Sequence, residues 1–208
     1  MNRDYEDQLF KEGYKVIVGI DEVGRGPFFG DVLACAIAFD EDFFMEEVDD
    51  SKKLSQKKRE KIFKELIRNA IAIGVGKASP EEIDEINIKE ATHLAMQRAV
   101  EDLHDSFGNK VKADIVLIDA EHIDIDIEQR SIVHGDASIF TIAAASIVAK
   151  VLRDADISYL ATKYPNYDLE NNKGYGTKKH RDAILKYGPT PLHRKTFLRK
   201  LLGNSDAK

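Results

Sequence analysis

Five apolar runs, in chain order YKVIVGID, DVLACAIAF, AIAIGVGKA, ADIVLIDA and RSIVHGD, constrain the fold more than any other feature of the sequence. Each is short, rich in β-branched or small apolar residues, and closed by polar or turn-forming residues, which is the pattern of a buried strand. The first two follow one another across a glycine-bearing turn; the later ones are separated by helical stretches. Ser55 is placed to cap a helix running to about Asn69, with Ile62, Phe63, Leu66 and Ile67 on one apolar stripe. Ser79 followed by Pro80 starts another helix, and Ile88, Ala91, Leu94, Ala95, Ala99 and Leu103 share a face in the stretch that follows. A long helix is predicted from about Ser138 to Tyr164, and two shorter ones in the basic tail. Strands grouped early and later interleaved with helices predict an α/β fold with a mixed five-stranded sheet flanked by helices. We expect one domain over residues 1–208, with about 165–208 as a basic helical C-terminal extension.

A chain of 208 residues, 43% of them hydrophobic, supports one sizeable core. No apolar stretch reaches the ~18 residues of a membrane helix, and the opening MNRDYEDQLFKEGYK is too charged for a signal peptide. A cytoplasmic protein without membrane association is expected. The single cysteine, Cys35, lies in an apolar run and reads as a buried structural thiol. Net charge is -6, but it is unevenly spread: residues 1–50 carry 14 acids against 4 Lys or Arg, whereas 51–66 carry 7 bases against 2 acids. Residues 171–203 carry 9 bases against Asp182 alone. An acidic pocket between basic stretches suits a metal-dependent enzyme acting on a polyanion, although on charge alone ordinary solvated helix faces are the favoured reading.

The acids at strand ends sharpen this. Asp21 ends the first apolar run, Asp119 ends IVLID, and Asp136 follows SIVHG, so three strands each bring an aspartate toward one edge of the sheet. In such sheets ligands lie beyond the carboxyl ends of the parallel strands. Any one of these aspartates can be a turn or cap residue, and for Asp136 helix capping is a strong alternative. Asp21 and Glu22 are less easily explained so, because adjacent carboxylates repel unless a cation compensates.

Seven segments carry a family resemblance: GIDEVGRGPFFGDV, DSKKLS, EIDEINIKEATHLAMQRAV, VLIDA, GDASIFTIAAASIVAKVLRD, KGYGTKKH and YGPTPLHRKTF. In this order and spacing, from about Val16 to Phe197, they resemble bacterial type 2 ribonuclease H. The resemblance implies an RNase H-like core, hydrolysis of the RNA strand of RNA/DNA hybrids, and incision 5′ of single ribonucleotides embedded in duplex DNA. It implies that Asp21, Glu22, Asp119 and Asp136 are catalytic and bind Mg²⁺ or Mn²⁺, two ions in the active complex. Such an ion pair, about 3.5–4 Å apart, activates a water and stabilises the leaving 3′ oxygen. It further implies that Gly24, Arg25 and Gly26 read the ribonucleotide, the glycines letting backbone approach a 2′-hydroxyl. Tyr175, between two glycines, resembles the aromatic residue that stacks on the deoxyribose following the ribonucleotide; taken without the family, packing over a turn explains it as well.

Lys52 and Lys53 precede a helix cap where they can hold phosphates, and Lys150 and Arg153, near each other on the long helix, are expected to bind substrate phosphate as well, with a solvated face as the open alternative. His180 and His193 can meet phosphate or merely pack; neither has metal-ligand spacing with another His or Cys. The sequence departs from the family pattern at Ala120, where glycine is usual, at Phe28 and Phe29 in place of smaller residues, at Asp31 where proline is common, and at His134 where lysine is usual. Type 3 ribonuclease H is the nearest rival, disfavoured by the arginine between the glycines. A phosphotransferase of the same broad fold would need a second similar domain, and a non-catalytic nucleic-acid binder would tolerate loss of a carboxylate. A monomer acting on RNA/DNA hybrid and ribonucleotide-containing duplex DNA is expected.

Overall fold

Side-chain alternation along the strands divides the interior into two layers. In the computed structural model, which describes residues 2–49, 51 and 53–203, the first strands are β1 (Ile17–Val23) and β2 (Val32–Phe39). Val32, Ala34, Ala36 and Ala38 face one layer, while Leu33, Cys35, Ile37 and Phe39 face the other, with no residue of β2 more than 3% exposed. Helix α1 (Asp4–Glu12) precedes them, and α2 (Gln56–Asn69), β3 (Ala70–Ala78) and α3 (Pro80–Glu101) follow. Next come β4 (Ile115–Asp119), β5 (Glu128–Ile132), α4 (Gly135–Ser138) and α5 (Phe140–Lys163).

The strands form one sheet in the order β3-β2-β1-β4-β5. β1 pairs antiparallel with β2, and β2 with β3; β1 pairs parallel with β4, and β4 with β5. The sheet is therefore mixed and five-stranded, as expected. The alanine-rich face lies under α3, and the face of larger side chains lies under α5 and α2. Close approach on the α3 side depends on glycine: a Cβ at Gly76 would stand 1.9 Å from the Ala95 carbonyl oxygen and 2.5 Å from the Ala99 nitrogen.

Both predicted caps are present. The Ser55 hydroxyl accepts from the Lys58 N–H, and Ser79 forms a capping box with Glu82, whose carboxylate is also held by Arg98 at 2.7 Å. Several boundaries differ from expectation. Ile67 is 38% exposed, because the buried stripe of α2 is carried by Ile62 and Leu66 and Ile67 lies one step outside it. The third helix breaks at Asn87 (φ 69°), whose Oδ1 accepts from the Lys89 and Glu90 N–H groups and recaps the chain. It ends at Glu101, with Leu103 buried beyond it. The fifth strand begins at Glu128 and stops at Ile132, leaving Val133 exposed. Ser138 belongs to α4 rather than to the long helix, which starts at Phe140 after Ile139 turns extended.

Beyond α5 lie not two helices but a 3-10 turn (Pro165–Tyr167) and three short helices, α6 (Leu169–Asn172), α7 (Lys178–Tyr187) and α8 (Lys195–Leu198). Phe29, at the β1–β2 turn, is fully buried among Ile157, Tyr167, Leu169, Ile184 and Leu198 of this part. Phe28 and Phe29 thus fill the junction between the turn and the C-terminal helices. The Glu6 carboxylate of α1 accepts from the Thr141 N–H at 2.9 Å and so serves the open N-terminus of α5.

Replacing Gly76 by Ala tests the α3–β3 contact. The added methyl has backbone rather than a flexible side chain to meet, so we expect a loss of about 1–3 kcal/mol in urea unfolding, the usual penalty for overpacking. A loss below about 0.5 kcal/mol would show that α3 moves off β3 freely.

Candidate active site

Register and parity together place the first acids. Ile20 pairs with Ile118 across the parallel β1–β4 ladder, and both point toward α3. The next residue on each strand, Asp21 and Asp119, is therefore level with the other and directed to the α5 side. On that side Ser146 of α5 hydrogen-bonds Asp21, and the Ser146 and Ser51 hydroxyls lie 2.9 Å apart. Asp21 Oδ1 accepts the Glu22 N–H at 2.8 Å, and Asp119 Oδ1 accepts the Gly135 N–H at 2.8 Å.

Asp21 is only 7% exposed. Burial, then the charges of Glu22 and Asp119, hold its carboxyl well above the usual carboxylate range. Burial also raises Glu22, against the pull of Arg25. These carboxylates line one groove of about 330 Å³ together with Val23, Gly24, Arg25, Gly26, Lys150 and Tyr175. What the groove offers chemically is a cluster of hard oxygen donors whose mutual repulsion a cation would relieve. Among the described residues, no three His, Cys, Asp or Glu side chains are pre-arranged as a closed metal cage. Main-chain N–H groups and Arg25 occupy carboxylate oxygens instead.

The turn after β1 is held from below by two buried arginines. Arg194 donates to the carbonyls of Gly24 at 2.6 Å, Arg25 at 2.9 Å and Gly30 at 2.8 and 3.0 Å. Arg153 donates to the carbonyls of Phe29, Asp31 and Lys173. This corrects the expectation that Arg153 offers itself to phosphate beside Lys150. Its guanidinium is enclosed and ties the β1–β2 turn to the segment after α6, because α5 turns that face of the helix onto the turn. Gly24 likewise has a structural reason for lacking a side chain: its φ is +96°, and a Cβ would lie 2.3 Å from Arg153 Nε. Gly26 is the open one, since a Cβ there would stand 3.4 Å from the Tyr175 ring.

Arg25 bridges Glu22 at 3.3 Å and Glu121 at 3.0 Å, and Glu121 also meets His93 Nε2 at 3.0 Å. Tyr175, 46% exposed, forms the opposite wall. Lys150 lines the groove and pairs with Asp154 at 2.7 Å. Lys53 is exposed, 3.8 Å from Asp49; Lys52 lies outside the described residues. Asp136 does not end a strand: β5 stops at Ile132, and Asp136 lies on α4 beside Gly135, outside the lining of the groove. His180 and His193 are buried and face each other at 3.1 Å, so they pack rather than reach outward. Cys35 is fully buried, and burial pushes its thiol up, out of nucleophile range.

Sequence reasoning missed Ser51, Ser146, Glu121, His93 and Arg194. Ser146, in AAASIVAK, was detectable as a polar residue on an otherwise apolar face, but nothing local signals Glu121 or Arg194. Ala120 shows why glycine suits its position: the chain takes a left-handed turn there (φ 52°) between Asp119 and Glu121.

A mixed five-stranded sheet flanked by helices, with carboxylates at the ends of two adjacent parallel strands, is the architecture of an RNase H-like nuclease. It is shared by the ribonuclease H2 of Pyrococcus horikoshii, which superposes with a TM-score of 0.75 at 26% identity over 91% of this chain and 98% of that one. Residues 18–201 match the family model described as Ribonuclease HII. The ribonuclease HII of Alkaliphilus metalliredigens is 51% identical over 97% of this chain and 100% of its own, and that of Bacillus subtilis 46% identical over 93% of this chain and 73% of its own. The chain belongs to the ribonuclease HII family and is an endoribonuclease of the ribonuclease H type, acting on RNA/DNA substrates.

The burial of Asp21 predicts a pH signature in the metal-free protein. A carboxyl whose folded pKa is raised loses stabilising influence as pH rises from its unfolded value, 3.8, through the folded one. Asp21→Asn removes that loss. In EDTA the variant should match wild type near pH 4 and exceed it by about 1–3 kcal/mol at pH 7, the usual penalty for a buried polar group short of partners. Equal stability across the range would mean that the carboxylate is ionised without penalty.

Proposed function

We propose that the chain hydrolyses the RNA strand of RNA/DNA hybrids and incises duplex DNA 5′ of single embedded ribonucleotides, leaving 3′-hydroxyl and 5′-phosphate ends. One observation carries this reading: the groove that gathers Asp21, Glu22 and Asp119 also presents Gly26 and Tyr175 face to face. The acid cluster and the Gly26–Tyr175 pair thus share one groove.

The donor set fits divalent cations. All candidate ligands are carboxylates; burial and neighbouring acids hold Asp21 and Glu22 above their normal range, and Asp21, Glu22 and Asp119 each have an oxygen engaged by the protein. An open site of this kind suits Mg²⁺ or Mn²⁺, which take one or two carboxylates and complete their shell with water and substrate phosphate. Asp21, Glu22 and Asp119 of the groove, together with Asp136 of α4, would hold such ions. When bound, two ions supply an activated water and stabilise charge on the leaving oxygen.

The chain's own groups do the rest. Ser146 fixes the rotamer of Asp21, and the Gly135 N–H fixes that of Asp119. Glu121 draws Arg25 partly away from Glu22, leaving one Glu22 oxygen for other partners. Arg194 holds the carbonyls of Gly24 and Arg25, so the N–H groups of the turn keep a fixed direction toward a 2′-hydroxyl. Lys150, which lines the groove, compensates phosphate charge there.

Incubation with duplex DNA bearing one ribonucleotide should give a single nick in Mg²⁺ or Mn²⁺ and none in EDTA. Asp21→Asn should lower the rate by about three orders of magnitude or more, the scale of a lost electrostatic stabiliser. Tyr175→Ala keeps every carboxylate. Its loss should be about five- to tenfold on the single ribonucleotide, at the low end of the ~1–3 kcal/mol of aromatic stacking, and smaller on a long hybrid. No nick in either metal would contradict the activity, and equal losses on both substrates would make Tyr175 a packing residue.

A further inference from the structure

Two buried histidines behind the groove form a chain of hydrogen bonds whose direction the backbone decides. The Thr190 N–H lies 2.9 Å from His193 Nδ1. An amide N–H only donates, so His193 Nδ1 accepts and the ring proton is on Nε2. His193 Nε2 stands 3.1 Å from His180 Nε2 and must donate to it. The proton of His180 is then on Nδ1, 2.9 Å from the Tyr175 carbonyl, which only accepts. Both tautomers follow from the two main-chain ends.

Charge on either ring breaks the chain. A protonated His193 would turn its Nδ1–H on the Thr190 N–H, with only the Thr190 hydroxyl oxygen, also 2.9 Å away, to accept it, and a protonated His180 would oppose its Nε2–H to that of His193. Burial accordingly pushes both rings down, His193 to about 4. Around the pair stand the rings of Phe28, Phe29 and Tyr167, and Asp168 faces His180 while lying 3.9 Å from Lys179.

The residue after His193 is Arg194, which holds the Gly24 and Arg25 carbonyls. Two consecutive residues therefore reach opposite walls of the groove, one to Tyr175 through His180 and one to the glycine turn. We propose that His180 and His193 are positioning residues: a neutral imidazole relay that sets the Tyr175 main chain relative to Gly24–Gly26, so that the His193–Arg194 step fixes how Tyr175 stands against Gly26. This rests on the reading that Tyr175 and the glycine turn contact substrate.

The first test needs no variant. Long-range ¹H–¹⁵N spectra of the wild-type imidazoles at pH 6 should show His193 as the neutral Nε2–H form and His180 as the neutral Nδ1–H form. The opposite tautomers, or a charged ring, would overturn the relay. The second test compares His180→Asn, whose amide nitrogen can replace the Nδ1–H donor, with His180→Leu, which cannot. Losing that bond should raise KM for a single embedded ribonucleotide roughly three- to tenfold in the Leu variant, with kcat on a long hybrid little changed and with faster amide exchange at Gly176 and Thr177. The Asn variant should recover most of both. Unchanged exchange in the Leu variant would also overturn the relay. Faster exchange with unchanged substrate preference would leave the relay standing and instead sink the reading of Tyr175 as a substrate contact.

Discussion

The structure turns on a carboxylate placed where a carboxylate is unwelcome. Asp21 is 7% exposed, enclosed between the end of β1 and α5, with Glu22 and Asp119 adding like charge. A buried, repelled acid destabilises a fold unless something compensates it. The protein supplies a partial answer in the Ser146 hydroxyl and the Glu22 N–H. These orient Asp21 without neutralising it, so the remaining demand is for a cation. The parallel β1–β4 register, the apolar length of α5 that covers this face, and the serine interrupting it all follow from keeping that acid in place.

The second constraint is the turn after β1, whose carbonyls would be unsatisfied where the C-terminal helices close over it. Arg153 and Arg194 meet that need with guanidinium groups that donate to six carbonyl partners between them in the turn and its neighbours. Their positive charge is used inside the protein, where removing one donor would leave several buried acceptors unpaired. The basic character of the C-terminal residues is thus divided: part of it builds the groove and part faces outward.

Much of this was legible in the sequence. Short apolar runs rich in β-branched residues exposed β1 to β4, and Ser55 and Ser79 announced their helices, because strand burial and N-capping are decided within a few residues. The acids Asp21, Glu22 and Asp119 were legible for the same reason, as they close local apolar runs, although β1 itself continues through Asp21 and Glu22 to Val23. Asp136 was misplaced because β5, five residues at the sheet edge, has a half-exposed and polar pattern that periodicity cannot bound. The break at Asn87 was hidden by helix formers on both sides. Arg153 read as a surface base because its partners, at Phe29, Asp31 and Lys173, are distant in sequence. Glu121, His93 and Arg194 act only across such tertiary contacts, which no local pattern encodes.

The most direct measurement of the central claim is Mn²⁺ binding followed through stability, independent of catalysis. A ligand that binds only the folded state raises unfolding free energy by RT ln(1 + [L]/Kd). Titrating Mn²⁺ into the EDTA-treated protein should raise the midpoint of thermal unfolding progressively in wild type, and Asp21→Asn should start from a higher midpoint and gain much less. A wild-type midpoint that Mn²⁺ leaves unchanged, or an equal gain in the variant, would contradict the assignment of the Asp21 cluster as a metal site.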